Sequence, residues 1–331
     1  MAPARPRDAV FAVHAQGGGV RATHGVRLLL RGSRTRMDDW MTSNFAEVGR
    51  TKFCYEVAGE GPPLVLGHAG ITDRRMWDDQ FHAFAQHYRV IRYDRRGFGD
   101  TETAAEAYSH HEDLHDLLTF LGIGQAFLVG CSQGGKTVID FALEHPDMTG
   151  ALILVASALG GFTFTGPAPA QWGDLELADE AGDAERVNEL ELQIWVDGPH
   201  RRPEEVDSQV RERVRRMNRI ALAKSADSGQ ERQLDPAAAE RLGEIRAPTL
   251  IITGDLDTPR TLATAEFLAG RIPAARQVVM QGVAHLPNME RPEEFNRHVL
   301  TFLSGHARGP VAPQALPSGA PGGPHFNFPK E

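Results

Sequence analysis

Short apolar segments of strand length recur along the chain. Residues 45–62 alternate between apolar and polar positions, which predicts a hairpin at a sheet edge. Six nearly continuous apolar runs then follow, at residues 63–68, 88–94, 126–132, 150–157, 247–255 and 275–282. Continuous hydrophobicity is typical of strands that are covered on both faces.

Helical patterns occupy the intervals between most of these runs. Leu114, Leu117, Leu118 and Leu121 recur at the spacing of one helix face, and residues 134–147 resemble a second helix that a His-Pro pair would end. The alternation of strands and helices predicts an α/β fold, with a mostly parallel, twisted sheet flanked by helices.

One interval, residues 159–244, breaks the alternation. It has no convincing buried strand, but it carries two amphipathic helical patterns: Val187, Leu190, Ile194 and Val210, Val214, Met217. We expect a helical cap over the carboxyl edge of the sheet, where open α/β sheets bind ligands. Residues 41–158 and 245–304 would then form the core, and a helical subdomain remote from the site is the alternative.

Both ends of the chain differ in composition from the middle. Residues 1–40 are rich in arginine, contain three consecutive glycines and are expected to be a disordered extension. Two other interpretations stay open, a functional start at Met37 or Met41, or a transit peptide. Residues 305–331 are rich in proline and glycine and are also expected to be disordered.

Composition narrows the possible partners. The net charge of −9 disfavours nucleic acid and anionic membrane surfaces, which select concentrated positive charge. No apolar run approaches the roughly 18 residues that a membrane-spanning helix needs. Two cysteines in 331 residues argue against a disulfide framework, so a reducing, cytoplasmic location is expected.

The strongest chemical signal is the G-x-S-x-G pattern formed by Gly130, Ser132 and Gly134, between an apolar run and a helical pattern. A nucleophilic serine on so sharp a strand-to-helix turn needs small residues two positions away on either side. The turn also places the amide of Gln133 at a helix N-terminus, where an anionic oxygen is stabilised. The pattern therefore predicts a nucleophile elbow with Ser132 at its tip.

Four stretches carry a resemblance to a known family: VLGHAG, YDRRGFGDT, VGCSQGG, and the late pair ITGDLD and VAHLPNMERPEEFN. From about residue 45 to 304 the chain resembles the α/β-hydrolase superfamily, within it the small esterases and lactonases typified by enol-lactonases. The resemblance implies a catalytic triad in the chain order serine, acid, histidine.

The remaining site residues are implied by this resemblance. The acid would be Asp257, three residues past Gly254, with Asp255 as the alternative, and the histidine would be His285. The second oxyanion donor would be the amide of Gly70. Most members have His-Gly where this chain has His68-Ala69, and we expect His68 to be structural.

A competing motif occurs at residues 111–115, where His111, Glu112 and His115 match the zinc-binding pattern H-E-x-x-H. The leucines of this helix are expected to pack inward, which leaves the two histidines progressively closer to solvent. No third ligand is evident, so no metal is expected. Arg95 and Arg96 are interpreted as structural.

The expected function is hydrolysis of a small ester or lactone through an acyl-enzyme, without a cofactor. Four residues of the predicted cap are candidates for an apolar pocket wall: Phe162, Phe164, Trp195 and Met217. Two alternatives stay open. The same triad is suited to C–C bond hydrolysis, acyl transfer or cofactor-free peroxidation, and a protein with this pocket is also suited to sensing a ligand with little turnover. The sequence names neither the substrate nor the oligomeric state.

Overall fold

The fold is built on one sheet of eight strands in the order β1-β2-β4-β3-β5-β6-β7-β8. The computed structural model describes residues 43–49, 51–102, 106–224 and 229–306. The strands are β1 (Asn44–Val48), β2 (Thr51–Ala58), β3 (Pro63–Gly67), β4 (Arg89–Tyr93), β5 (Ala126–Cys131), β6 (Thr149–Val155), β7 (Thr249–Gly254) and β8 (Arg276–Met280). The predicted extension at residues 1–40 and the tail beyond residue 306 lie outside the described residues.

The first two strands form the predicted hairpin, and β2 also runs antiparallel to β4. All other neighbours are parallel. The chain passes from β3 outward to β4 and then returns to add β5 on the other side of β3. This reversal creates a crevice at the carboxyl ends of β3 and β5, the usual ligand site of an open α/β sheet.

Ten α-helices accompany the sheet in the described part of the chain. They are α1 (Asp78–Phe84), α2 (His110–Phe120), α3 (Gln133–Glu144), α4 (Trp172–Glu180), α5 (Ala184–Leu192), α6 (Ser208–Lys224), α7 (Ala238–Arg241), α8 (Pro259–Arg271), α9 (Pro287–Glu290) and α10 (Pro292–Ser304). The predicted fold class, a mostly parallel sheet flanked by helices, is confirmed.

Alternating residues of the central strands fill two apolar layers, one on each face of the sheet. On β6, Ile153 and Val155 join the layer that includes side chains of α1 and α10, whereas Leu152 and Leu154 join the layer beneath α2, α3 and α8. Because both faces are covered, these strands carry the continuous hydrophobicity that the sequence shows.

In its described residues, the interval between β6 and β7 contains helices and no strand of the sheet. Helix α5 continues into a π-helical segment, Gln193–Asp197, and packs against α4 and α6. These helices share a small apolar cluster of their own, formed by Leu175, Ala178, Val187, Leu190 and Ile194. The insertion therefore has a separate packing centre, in addition to its contacts with the main core. None of the described helices is long and apolar enough to cross a membrane.

Candidate active site

Ser132 stands between the last residue of β5 and the first residue of α3. Its backbone has φ 53° and ψ −115°, in a region that side-chain-bearing residues rarely adopt. The Ser132 amide donates to the carbonyl of Val155 (2.9 Å), and its carbonyl accepts from the amide of Lys136 (3.0 Å). Strand and helix thus hold the turn from both sides, as strained backbone requires.

The neighbouring glycines are explained by close approach of the backbone. A Cβ atom on Gly130 would overlap the carbonyl oxygen of Gly134, and one on Gly134 would overlap the carbonyl oxygen of Gly67. Both contacts are with backbone atoms, which cannot rotate away. The small residues on either side of Ser132 are therefore a steric condition for the turn.

Gln133 and Gly70, whose amides are the predicted oxyanion donors, lie side by side. Gln133 is the first residue of α3, so its N–H has no acceptor within the helix. Gly70, in the loop after β3, faces the Gln133 side chain, and a Cβ there would lie 2.8 Å from the Gln133 Cδ atom. Since β3 and β5 are adjacent parallel strands, their following loops meet at the same edge.

A histidine and a carboxylate complete the arrangement. The Nδ1 atom of His285 lies 2.8 Å from Oδ2 of Asp257, and the two residues are 4% and 1% exposed. The other carboxylate oxygen, Oδ1, accepts from the Thr258 amide (2.6 Å). Burial with two hydrogen bonds fixes the carboxylate against His285.

The alternative acid has a different partner. Asp255 Oδ1 accepts from the amide of Gly282 (2.6 Å), which closes the loop after β8. A Cβ on Gly254 would overlap the carbonyl oxygens of Val283 and Ala284. The loops after β7 and β8 thus touch at Gly254, and the contact with His285 belongs to Asp257.

The loop that carries His285 is tied to the helical insertion. The Ala284 amide donates to Glu290 Oε1 (2.8 Å), and Arg201 of the insertion donates to the same carboxylate. Trp195, also from the insertion, has its ring centroid 4.8 Å from that of His285. Side chains of the insertion therefore restrict both the loop and the ring.

A cavity of about 140 Å³ opens beside these groups. The core contributes Ala69, Gly70, Ile71, Ser132, Gln133 and His285 to its wall. The insertion contributes Trp172, Leu175, Glu191 and Trp195. Ser132, His285, Gln133 and Gly70 consequently line one mainly apolar cavity.

A sequence model of the alpha/beta hydrolase fold matches residues 62–292. The chain belongs to the α/β-hydrolase family. Two similar proteins and one similar solved structure show the range of enzymes to which the chain is related.

2-hydroxy-6-oxo-6-phenylhexa-2,4-dienoate hydrolase of Comamonas testosteroni is 28% identical over 81% of this chain and 99% of the relative. 3-oxoadipate enol-lactonase 1 of Acinetobacter baylyi is 28% identical over 71% of this chain and 85% of the relative. The solved enol-lactonase from Burkholderia xenovorans has a TM-score of 0.64 and 27% identity, covering 79% of this chain and all of that one.

The resemblance that the motifs indicated is thus confirmed, and this α/β-hydrolase is a hydrolytic enzyme. By name, these relatives include both a dienoate hydrolase and an enol-lactonase. Family membership alone therefore does not specify the reaction of this chain, which depends on the residues of its own pocket.

The predicted pocket wall needs correction at three of its four residues. Trp195 lines the cavity, but Phe162, Phe164 and Met217 are not among its described lining residues. Phe162 packs against Phe267 of α8, and Met217 is buried in the main core at 3% exposure. The apolar character of Phe162 and Met217 reflects packing, which sequence spacing does not distinguish from ligand contact.

Five lining residues were missed: Ala69 and Ile71 in the loop after β3, and Trp172, Leu175 and Glu191 in the insertion. Trp172, Leu175 and Ala178 follow one another at intervals of three residues on α4, and Leu175 and Ala178 are buried. A short helical pattern was therefore available for Trp172 and Leu175. Glu191 also had a signal, since it stands four residues after Val187 and three before Ile194 on the predicted apolar face, a position that glutamate on a helix rarely takes.

His68 stabilises the loop that carries Gly70. Its Nδ1 atom lies 2.8 Å from the carbonyl oxygen of Ala69, and its Nε2 accepts from the Arg95 amide (2.9 Å). Burial, reinforced by the charge of Arg95, holds the His68 pKa well below its usual range. Both nitrogens of the neutral ring are occupied, which agrees with a structural residue.

The H-E-x-x-H motif has a different geometry from that expected of a zinc site. His111 is buried at 7% exposure because α2 packs on α3, so the prediction that it lies toward solvent was wrong. The side chains at this motif whose potential metal-ligand atoms lie close together are those of Glu112, His115 and His145. The His115 and His145 rings are stacked, with centroids 4.3 Å apart, so their in-plane lone pairs run parallel and do not converge on one ion.

Proposed function

We propose that this α/β-hydrolase cleaves small esters or lactones through an acyl-enzyme, with Ser132 as nucleophile, His285 as base and Asp257 as acid. The observation that carries the proposal is the common cavity of Ser132 and His285, with Asp257 bonded to the far nitrogen of the histidine. These are the parts that activate a serine hydroxyl.

In the first half-reaction, His285 takes the Ser132 proton through Nε2 while the hydroxyl oxygen attacks the carbonyl carbon. Asp257 accepts from Nδ1–H, which fixes the tautomer and stabilises the imidazolium. The amides of Gln133 and Gly70 stabilise the tetrahedral oxyanion. His285 then protonates the departing alkoxide, and the acyl group stays on Ser132.

In the second half-reaction, water replaces the alcohol. His285 takes a proton from water as the water oxygen attacks the acyl carbon. The second tetrahedral species then collapses, and His285 returns the proton to the Ser132 oxygen as the acid is released. No step in this sequence requires a metal or an organic cofactor. The helical insertion at residues 159–244 acts as a cap that shapes the substrate space.

C–C bond hydrolysis is a second candidate, favoured by the similarity to the dienoate hydrolase. The name of that relative specifies a carboxylate substrate. The described lining residues of this cavity include no lysine or arginine, and they do include Glu191. The charge of the pocket therefore disfavours that substrate and favours esters or lactones that carry no carboxylate.

Hydrolysis of p-nitrophenyl acetate and δ-valerolactone by the purified protein tests the proposal. We expect turnover of at least one of them and a loss of about 10⁴-fold or more in Ser132→Ala, since the nucleophile is removed. Ser304→Ala, an exposed serine at the end of α10, is the matched control and should retain parental activity. Hydrolysis that survives Ser132→Ala would contradict the assignment.

A further inference from the structure

A buried carboxylate lies in the wall of the catalytic cavity. Glu191, near the end of α5, lines the cavity and is only 4% exposed. Nothing in the acyl-enzyme mechanism uses it. Since burying an ionised carboxylate costs several kcal/mol unless it is paired, its presence in an apolar wall calls for a partner.

The protein itself satisfies Glu191 only in part. Its Oε2 atom accepts a hydrogen bond from the Asn218 side-chain amide (2.6 Å), and among the described residues no ion pair forms with it. The same amide group also donates to Asn188 Oδ1 (3.1 Å). Burial, with a smaller contribution from Asp179, raises the Glu191 pKa to about 7, despite the opposing Asn218 hydrogen bond.

The rest of the wall favours a positive ligand group. Trp172 and Trp195 line the same cavity from the insertion, and the faces of tryptophan rings attract ammonium groups. Among the described lining residues, His285 is the only other ionisable one. Two indoles and one carboxylate in a space of about 140 Å³ form the elements of an ammonium-binding cage.

We propose that Glu191, with Trp172 and Trp195, selects carbonyl substrates that carry a protonated or quaternary amine, and that the pocket discriminates against anionic ones. The inference rests on the proposed function, because it assigns the substrate class of the same site. The amine binds to the insertion side of the cavity, while the ester carbonyl faces Ser132 and the two backbone amides.

Three acetate esters of similar size test this selection. 2-(Dimethylamino)ethyl acetate is cationic at about pH 7, 3-methylbutyl acetate is its neutral isostere, and 3-acetoxypropanoate is an anion. We expect kcat/KM to be at least about tenfold higher for the cationic ester than for the neutral one, and lowest for the anion. In Glu191→Gln the cationic-to-neutral ratio should fall by at least about fivefold, since only the two indoles still attract the ammonium group.

Glu180→Gln is the matched control, since Glu180 is an exposed glutamate on α4 that does not line the cavity. It removes the same charge from the insertion and should keep the parental ratio. A purely structural role of Glu191 would lower activity toward the cationic and neutral esters alike. The ratio therefore separates specificity from folding.

A binding measurement keeps this inference distinct from the hydrolase proposal. We expect tetramethylammonium chloride to quench tryptophan fluorescence, with sodium chloride as the ionic-strength control, and to bind at least about fivefold more weakly to Glu191→Gln. If neutral esters are hydrolysed but the ratio does not depend on Glu191, the substrate class is overturned and the hydrolase proposal stands. If no ester is hydrolysed, the hydrolase proposal fails, and the Glu191 dependence of cation binding alone supports or overturns the cage.

Discussion

At the scale of single residues, two neighbouring aspartates differ in their hydrogen-bond partners. Asp257 bonds to His285, whereas Asp255 bonds to the amide of Gly282. The sequence pattern allowed either residue to be the acid. Which carboxylate faces the histidine depends on how the loop after β7 turns, and that is set by the contact of Gly254 with the loop after β8.

This difference gives a matched pair of substitutions. Asp257→Asn should lower kcat by about 10³- to 10⁴-fold, because the amide disturbs the tautomer and no longer stabilises the imidazolium. Asp255→Asn should change kcat less than about threefold, since it removes only a loop hydrogen bond. Steady-state kinetics with p-nitrophenyl acetate measures both, and equal losses in the two variants would refute the assignment of Asp257.

Glu191 illustrates what sequence alone cannot provide. Glu189 and Glu191 stand two positions apart on α5, yet Glu189 pairs with Arg211 and Arg215, whereas Glu191 lines the cavity. Helical spacing separates the two residues, since Glu191 stands four residues after Val187 and three before Ile194 on the apolar face, whereas Glu189 lies on the opposite side. That Glu191 lines a cavity depends on the packing of α4 and α6 around α5, and that packing is a tertiary property.

At the scale of secondary structure elements, the junction of β5 and α3 is the most constrained. The G-x-S-x-G spacing allowed it to be predicted, because a turn this tight excludes side chains at Gly130 and Gly134 for purely local reasons. The insertion was predictable as helical from Val210, Val214 and Met217, but of its pocket residues only Trp195 was predicted. Apolar periodicity indicates that one face of a helix is buried, but it does not identify the residues or the ligand that cover this face.

Two glycine substitutions test this view of the junction. Gly130→Ala should lower the free energy of unfolding by about 2 kcal/mol or more, since its methyl group would meet the Gly134 backbone. Gly173→Ala, on α4 with open space around it, should raise the free energy of unfolding by about 0.5–1 kcal/mol. Urea unfolding monitors both, and an undiminished stability of Gly130→Ala would count against the steric argument.

At the scale of the whole molecule, the sheet order was the part of the fold that the sequence specified least directly. Continuous apolar runs identify buried strands, and intervening helices imply parallel neighbours. The reversal between β3 and β5 depends on long-range pairing such as Gly67 with Gly130. These residues are far apart in the chain, so no local pattern predicts their pairing, and the position of the site follows from it.

The buried glutamate should also affect the stability of the whole protein. Its pKa is raised by burial to about 7 in the folded state, so folding takes up a proton between about pH 4.5 and 7. The native state is therefore progressively destabilised as pH rises through this window, and the loss is complete above it. The size of the loss is on the order of 3 kcal/mol.

Glu191→Gln removes this titration. The variant should be more stable than the parent at about pH 8–9, and the difference should shrink toward pH 5 as the parental carboxyl becomes protonated. Urea midpoints measured for both proteins across this range report the effect. A stability difference that stays constant with pH would rule out the proposed burial of an ionisable Glu191.

The central claim is that Ser132 is a nucleophile activated by His285. The most direct measurement is treatment of the folded protein with a fluorophosphonate, followed by peptide mass mapping. The account predicts one adduct, on Ser132, with labelling slowed by at least about 10³-fold in His285→Ala. No adduct on the wild-type protein, or a Ser132 adduct that forms equally fast without His285, would contradict it.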